Sequence, residues 1–136
     1  MERFFVDTSA WFAYVNKGDC EHGPVRQVLR NVKGRLVTSN FIFDETITFC
    51  LHRLGYQAAV KVGKTLLNTA EIDLIRVTPA DERQAWSLFL QRPDNTYSYT
   101  DCTSFVVMRR LSMQYAISLD SDFRREGFHL LPANKT

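Results

Sequence analysis

An α/β fold, read as a three-layer α/β/α sandwich around a central, mostly parallel sheet of four to five strands, is what the sequence predicts. Two observations carry it. Short apolar runs alternate with segments of helical period from end to end, which implies a parallel sheet with helices on both faces. Acids also stand directly after two of those runs, Asp7 near the start and Asp120 near the end. Open α/β sheets gather their ligands outside such strand ends.

The elements follow in order. Residues 4–6 are a first strand ending at Asp7, and the aromatic-rich residues 9–15 form a short helix stopped by Gly18 and Asp19. Residues 22–32 carry Val25, Val28, Leu29 and Val32 at helical spacing, with Arg26, Arg30 and Lys33 on the polar side. After Gly34, residues 35–38 are a second strand. Ser39 or Asn40 then caps a helix running to Leu54 and closed by Gly55. Residues 56–68 are a further helix, with Val60, Leu66 and Leu67 as its buried positions. Residues 72–77 alternate as a strand, and Thr78-Pro79 opens a helix to Gln91 that buries Ala85, Leu88 and Phe89 and leaves Trp86 at its edge. A turn at 92–95 precedes a helix over 100–113, apolar nearly all round and so expected beneath several neighbours. A strand at 116–119, a short helix at 122–125 and a last strand at 128–131 complete one domain over 1–136.

Composition limits the function classes. With 45% hydrophobic and 24% charged residues the chain is globular, and a net charge of +2 excludes a strongly basic coat while leaving room for local basic patches. Cys20, Cys50 and Cys102 are odd in number and show no zinc-type spacing, so neither a disulfide framework nor a structural zinc site is expected. Cys50 and Cys102 read as small buried hydrophobes. Neither a signal peptide nor a run long enough to span a membrane is seen, and a cytoplasmic setting follows as the expectation.

Each acid has a plain structural role open to it. Asp7 can cap the first helix, Ser98 and Asp101 fit a capping box, Asp120 can cap the turn that follows it, and Glu45 can face solvent. Their combination points elsewhere, because in a parallel sheet all four junctions share one edge. With Asp7 drawn into a site there, capping of the first helix falls to Thr8 and Ser9. Carboxylates gathered at such an edge repel one another and are pushed toward protonation, and a divalent cation reverses that. Oxygen ligands without His or Cys select a hard ion, Mg²⁺ or Mn²⁺. Asp44 and Glu45 point about 100° apart on a helix, and periodicity does not choose between them. Asp122 stands as a supporting acid, while Asp19, Asp73, Asp81, Glu82 and Asp94 are expected to be solvated.

Four stretches carry a family resemblance: Phe5-Val6-Asp7-Thr8-Ser9; Thr38-Ser39-Asn40 running to Asp44-Glu45-Thr46; Tyr97 to Phe105 around Thr100-Asp101-Cys102; and Ser118-Leu119-Asp120-Ser121-Asp122-Phe123, followed by Gly127-Phe128 and Pro132. In this order and over nearly the whole chain, the sequence resembles a PIN domain, specifically the toxin half of VapBC-type toxin–antitoxin pairs. The resemblance implies an acidic site of Asp7, Glu45, Asp101 and Asp120, and it chooses Glu45 over Asp44. It implies a metal-dependent endoribonuclease in which Asp7 and Asp101 hold one or two ions and Asp120 helps directly or through water. Glu45 would orient or deprotonate the attacking water, or only shape the metal shell. It further implies a VapB-like antitoxin as partner and a homodimer formed through residues 41–67. Ser118 stands where the family commonly has threonine, which keeps the hydroxyl, and Asp122 stands where histidine is common.

RNA phosphates would be met by Arg109, Arg110, Arg124 and Arg125, with Arg26, Arg30, Lys33 and Arg35 as a second group, and bases would stack on Tyr97 or Tyr99. A catalytically silent PIN-like module that binds RNA or protein is the alternative. A dehalogenase-type phosphatase is disfavoured because Ser9 occupies the position of its second acid. A receiver domain is disfavoured because no lysine follows the late strand at Ile117.

Overall fold

The structure, a computed structural model, describes residues 1–133. The last three positions of the 1–136 span lie outside the described residues. In chain order the elements are β1 (Glu2–Val6), α1 (Thr8–Val15), α2 (His22–Asn31), β2 (Gly34–Ser39), α3 (Asn40–Leu54), α4 (Tyr56–Asn68), β3 (Ile72–Ile75), α5 (Pro79–Gln91), α6 (Tyr99–Arg110), β4 (Tyr115–Ile117), α7 (Asp122–Arg125) and β5 (His129–Leu131). The strands form one sheet in the order β3-β2-β1-β4-β5, and every pairing is parallel. Right-handed crossovers then place α1–α4 on one face and α5–α7 on the other. The packing agrees: α1, α2, α3 and α4 touch one another, and α5 lies along α6.

Strand β1 lies at the centre of the sheet and its Phe5 and Val6 are fully buried. The chain leaves β1 toward β2 on one side and returns from β3 to β4 on the other, so the seam between β1 and β4 is the topological switch point. Gly34 opens β2 because a Cβ there would come within 2.1 Å of the Glu2 carbonyl oxygen. Gly55 closes α3 with φ +99°, a conformation that costs glycine little. Trp11 on α1 is buried and donates its indole N–H to Thr38 Oγ1, which donates in turn to the Val6 carbonyl oxygen. That chain fixes α1 across β1 and β2 directly beneath Asp7. On the other face Phe105 of α6 meets Phe123 of α7 edge to face, with ring centres 5.1 Å apart.

Several expectations are corrected. Leu67 and Phe89 are exposed and Val60 is half-buried; α4 buries Leu66 as expected, together with Ala59, Val62 and Gly63. The apolar helix stops at Arg110 rather than 113, since Ser112 takes positive φ. Asp81 is not solvated: it forms a capping box with Thr78 and receives the Arg110 guanidinium at 2.8–3.2 Å, with its side chain 4% exposed. Asp73 pairs with Arg35 at the surface. Among the described residues all three cysteines are free, with Cys50 and Cys102 buried, and no helix is long and apolar enough to cross a membrane.

Replacing Asp81 removes a cap and strands the Arg110 guanidinium, so Asp81→Ala should lower the unfolding free energy by about 2–3 kcal/mol in a urea titration. A loss below about 0.5 kcal/mol, typical of an unengaged surface position, would show that the Asp81–Arg110 pair holds nothing together.

Candidate active site

Asp7 extends the sheet by one residue. Its backbone N–H donates to the Ile117 carbonyl oxygen at 3.0 Å, which fixes the carboxylate over the β1–β4 seam at 5% exposure. Asp7 Oδ2 accepts from Ser118 Oγ at 3.0 Å and from Ser9 Oγ at 3.2 Å. The two serine oxygens lie 3.1 Å apart, and each also accepts a backbone N–H, from Asp120 onto Ser118 and from Leu119 onto Ser9. The turn after β4 is thereby tied to the start of α1.

The capping role expected of Thr8 and Ser9 is not the one they play. Asp7 is the N-cap residue but makes no side-chain capping bond, and the two hydroxyls serve carboxylates instead. Thr8 Oγ1 donates to Glu45 Oε1 and accepts from the buried Thr46 Oγ1 at 3.3 Å. Glu45 is half-buried and faces Thr8, whereas its neighbour Asp44 is exposed on the outer side of α3. Asp101 forms the expected capping box at the start of α6: Ser98 N–H donates to its Oδ2, and its own N–H donates to Ser98 Oγ, both at 3.0 Å. Asp120 Oδ1 accepts the Asp122 N–H at 2.9 Å, and Asp122 Oδ1 takes the Arg125 guanidinium at 2.8 Å.

All four acids read from the sequence therefore lie at one sheet edge, but not as a single knot. Asp101, Asp120 and Asp122 each offer a carboxylate oxygen within 4.8 Å of the others, while Asp7 lies deeper and outside this trio. Burial first, then repulsion from Asp101 and Glu45, push Asp7 up to about 7, although the Ser118 hydrogen bond opposes the rise. Asp101 is raised by burial and by Asp120 and Glu45, against the lowering effect of Ser98. Asp122 is raised by burial and by Asp120. Among the described residues the hydrogen bonds given above fall on one oxygen of each carboxylate and leave the other outside them: Oδ1 of Asp7, Oε2 of Glu45, Oδ1 of Asp101, and Oδ2 of Asp120 and Asp122.

A cavity of about 1010 Å³ lies to one side between α2 and the ends of β4 and β5, and among its lining residues Ser118 and Leu119 belong to this edge. The acids are not among the residues that line it. The positions expected to meet RNA fare differently. Tyr97 is buried with its hydroxyl on Glu126, so its ring presents no stacking face, while Tyr99 is half-buried and donates its hydroxyl to the Glu82 carbonyl oxygen. Arg109 pairs with Glu126, Arg110 with Asp81, Arg125 with Asp122 and Arg35 with Asp73.

A parallel sheet with acids grouped at its switch point defines a carboxylate site of nuclease type, and the chain belongs to the PIN-domain family, whose pattern matches residues 4–128. Within that family it is similar to the 23S rRNA-specific endonuclease VapC20 of Mycobacterium tuberculosis, at 38% identity over 124 residues, 91% of this chain and 94% of that protein. The crystal structure of VapC20, described as a Sarcin-Ricin loop cleaving toxin, matches with a TM-score of 0.88 at 37% identity over 92% of this chain and 95% of that one. A VapC ribonuclease of Archaeoglobus fulgidus is 31% identical over 123 residues, 87% of this chain and 77% of that protein. DNA-bound VapBC from Salmonella typhimurium shares the fold, with a TM-score of 0.69 at 12% identity over 96% and 97% of the two chains.

The raised Asp7 makes metal-free stability depend on pH. The folded chain keeps this proton to about pH 7, whereas the unfolded chain releases it near the ordinary aspartate value. The stability contributed by protonated Asp7 is therefore complete below about pH 4 and is lost as pH rises through about 7. In EDTA the melting temperature should fall between about pH 5 and pH 8, and Asp7→Asn should flatten that fall. A wild-type curve as flat as that of the variant would contradict the burial and repulsion assigned to Asp7.

Proposed function

We propose that the chain is a divalent-cation-dependent endoribonuclease that hydrolyses RNA phosphodiester bonds, and that it is the toxin half of a toxin–antitoxin pair. The observation that carries this reading is the grouping of carboxylates at the switch point, with Asp101, Asp120 and Asp122 offering oxygens within 4.8 Å of one another, reinforced by the 38% identity to an rRNA endonuclease. The donor set fits a hard ion, Mg²⁺ or Mn²⁺: it is all oxygen, and Asp7 is raised to about 7 by burial first and then by the Asp101 and Glu45 charges, which a cation would offset.

Asp7, Asp101 and Asp120 would hold the ion, and Asp122 lies close enough to Asp101 and Asp120 to add a further oxygen. When bound, the ion supplies Lewis-acid activation of water and charge neutralisation at phosphate. The protein residues do the positioning. Ser118 and Ser9 fix the rotamer of Asp7, so that its other oxygen is presented outward. The Thr46–Thr8–Glu45 hydroxyl chain holds one Glu45 oxygen and leaves the second to accept a proton from the attacking water or to orient it. Ser98 holds Asp101 at the positive end of α6.

The substrate class favoured is a structured ribosomal RNA loop, since the relative covering nearly the whole chain acts on 23S rRNA. A VapB-like antitoxin is the matching partner, and the fold shared with VapBC complexes supports it. A homodimer through residues 41–67 draws support from Phe49, Leu51, Tyr56 and Leu67, all exposed in that stretch. A ribosomal target also fits a cytoplasmic setting.

Purified protein with ribosomal RNA and Mg²⁺ should give discrete cleavage products that EDTA abolishes. Asp7→Asn or Asp101→Asn should slow cleavage by at least about 100-fold, since even the loss of a group behind a metal ligand costs 10–100-fold. Undiminished cleavage by either variant would remove that residue from the site. RNA binding by the wild type without any metal-dependent cleavage would favour a silent binding module. Ser118→Ala, which removes a hydrogen bond behind Asp7, should cost about 10–100-fold while the fold is kept.

A further inference from the structure

At the far end of α1 the surface changes sign. A cavity of about 430 Å³ opens among α1, α2 and α4, and Lys17, Arg26, Arg30 and Lys61 stand around it with no carboxylate in its lining among the described residues. All four cations are exposed, and among the described residues none of their side chains makes an ion pair or a hydrogen bond. Its floor carries Tyr14 and His22, whose rings lie 6.4 Å apart at 30°. His22 is fixed there by donating Nδ1–H to the Ala13 carbonyl oxygen at 2.9 Å.

The contrast with the rim around the acids is what gives this basin meaning. Beside the acids Arg125 is held by Asp122, and Arg109 and Arg110, at the opposite end of α6 from Asp101, are held by Glu126 and Asp81; this leaves the exposed Arg124 as the arginine next to the acids without an ion pair among the described residues. A centre of five carboxylates repels a phosphate chain, and attraction must come from elsewhere on the surface. The basin is placed for this. Helix α1 runs from Thr8, bonded to Glu45, to Val15, which lines the basin. Seven residue rises of about 1.5 Å put the two roughly 10 Å apart along one helix.

We propose that this basin binds RNA backbone phosphates remote from the bond to be cut and so holds the strand against the repulsion of the acidic edge. The inference rests on the ribonuclease reading for its purpose, though not for its measurement. Arg26 and Arg30, one turn apart on α2, make the main phosphate contacts; Lys17 and Lys61 close the sides, and Tyr14 and His22 offer a flat surface to ribose or base.

The test uses the full chain in EDTA, where no cleavage occurs, with a synthetic RNA hairpin as probe and anisotropy read over a series of KCl concentrations. Arg26→Gln with Arg30→Gln should weaken binding by about tenfold at low salt and flatten the log–log salt slope by about 0.7–0.9 for each phosphate no longer neutralised. Arg83→Gln, an exposed charge change on the other face, should match wild type, and Arg26→Lys with Arg30→Lys should restore most of the binding. Wild-type affinity and slope in the double Gln variant would overturn the proposal. So would loss of polyglutamate binding with RNA binding kept, which would make the basin a seat for an acidic protein segment. If the ribonuclease reading fails instead, the wild type leaves the hairpin uncut in Mg²⁺ while the difference in salt slope persists.

Discussion

The hydrogen bond from Ser118 to Asp7 closes the seam between β1 and β4, and most of what is unusual at that edge can be traced to it. A parallel sheet reverses direction there, leaving a crevice that no crossover covers. Asp7 is placed in that crevice by its own backbone bond to Ile117 and cannot retreat to solvent. Repulsion from Asp101 and Glu45 adds to the cost of burial. Hydroxyls rather than arginines supply the local compensation: Ser118 and Ser9 at Asp7, Thr8 at Glu45. A hydroxyl stabilises a carboxylate without cancelling its charge. The edge therefore stays negative and keeps an affinity for a cation that an adjacent guanidinium would remove.

The arginines nearby are spent on architecture. Glu126, its side chain 4% exposed, collects Arg92, Arg109 and the Tyr97 hydroxyl, and so joins the loop before α6 to the turn after α7. These partners and burial compete at Glu126, and the hydrogen bonds win, holding its carboxyl below the usual range. Asp81 does the same between α5 and α6, with Arg110. Both clusters brace α6, whose first turn carries Asp101. The protein thus separates two uses of negative charge. Acids that stabilise the fold are paired with guanidinium groups, and acids at the switch point are not, apart from the bond Asp122 accepts from Arg125.

Much of this was legible in the sequence where information is local. The strand that ends at Asp7, the Ser39 cap, the Gly55 stop and the Ser98–Asp101 capping box each depend on residues within a few positions of one another, and each is present. What could not be read depends on contacts between distant positions. Asp81 looked solvated because Arg110 lies 29 residues on, and Tyr97 looked available because Glu126 lies equally far along the chain. Thr8 and Ser9 looked like caps because hydroxyls at a helix start usually are. Thr8 instead meets Glu45 of α3, and Ser9 meets Asp7 and, 109 residues on, Ser118. The signal was nonetheless there in outline. Two adjacent hydroxyls after a strand-terminal acid are one more than a cap requires.

The same logic settles an apparent conflict between capping and metal binding. From sequence the two roles compete for Asp101 and Asp120, and the more ordinary one would normally prevail. A carboxylate, however, has two oxygens and about four acceptor positions, and a backbone N–H occupies only one of them. At Asp101 the capping bond uses Oδ2, at Asp120 the turn uses Oδ1, and at Asp7 both serines share Oδ2. Each bond takes away the side chain's freedom to swing into solvent, and so lowers the entropy that a ligand would otherwise have to remove. The cap is then what aims the second oxygen. A capping bond and a ligand can thus share one carboxylate, and a structural bond on such an acid is no ground for discounting it as a ligand.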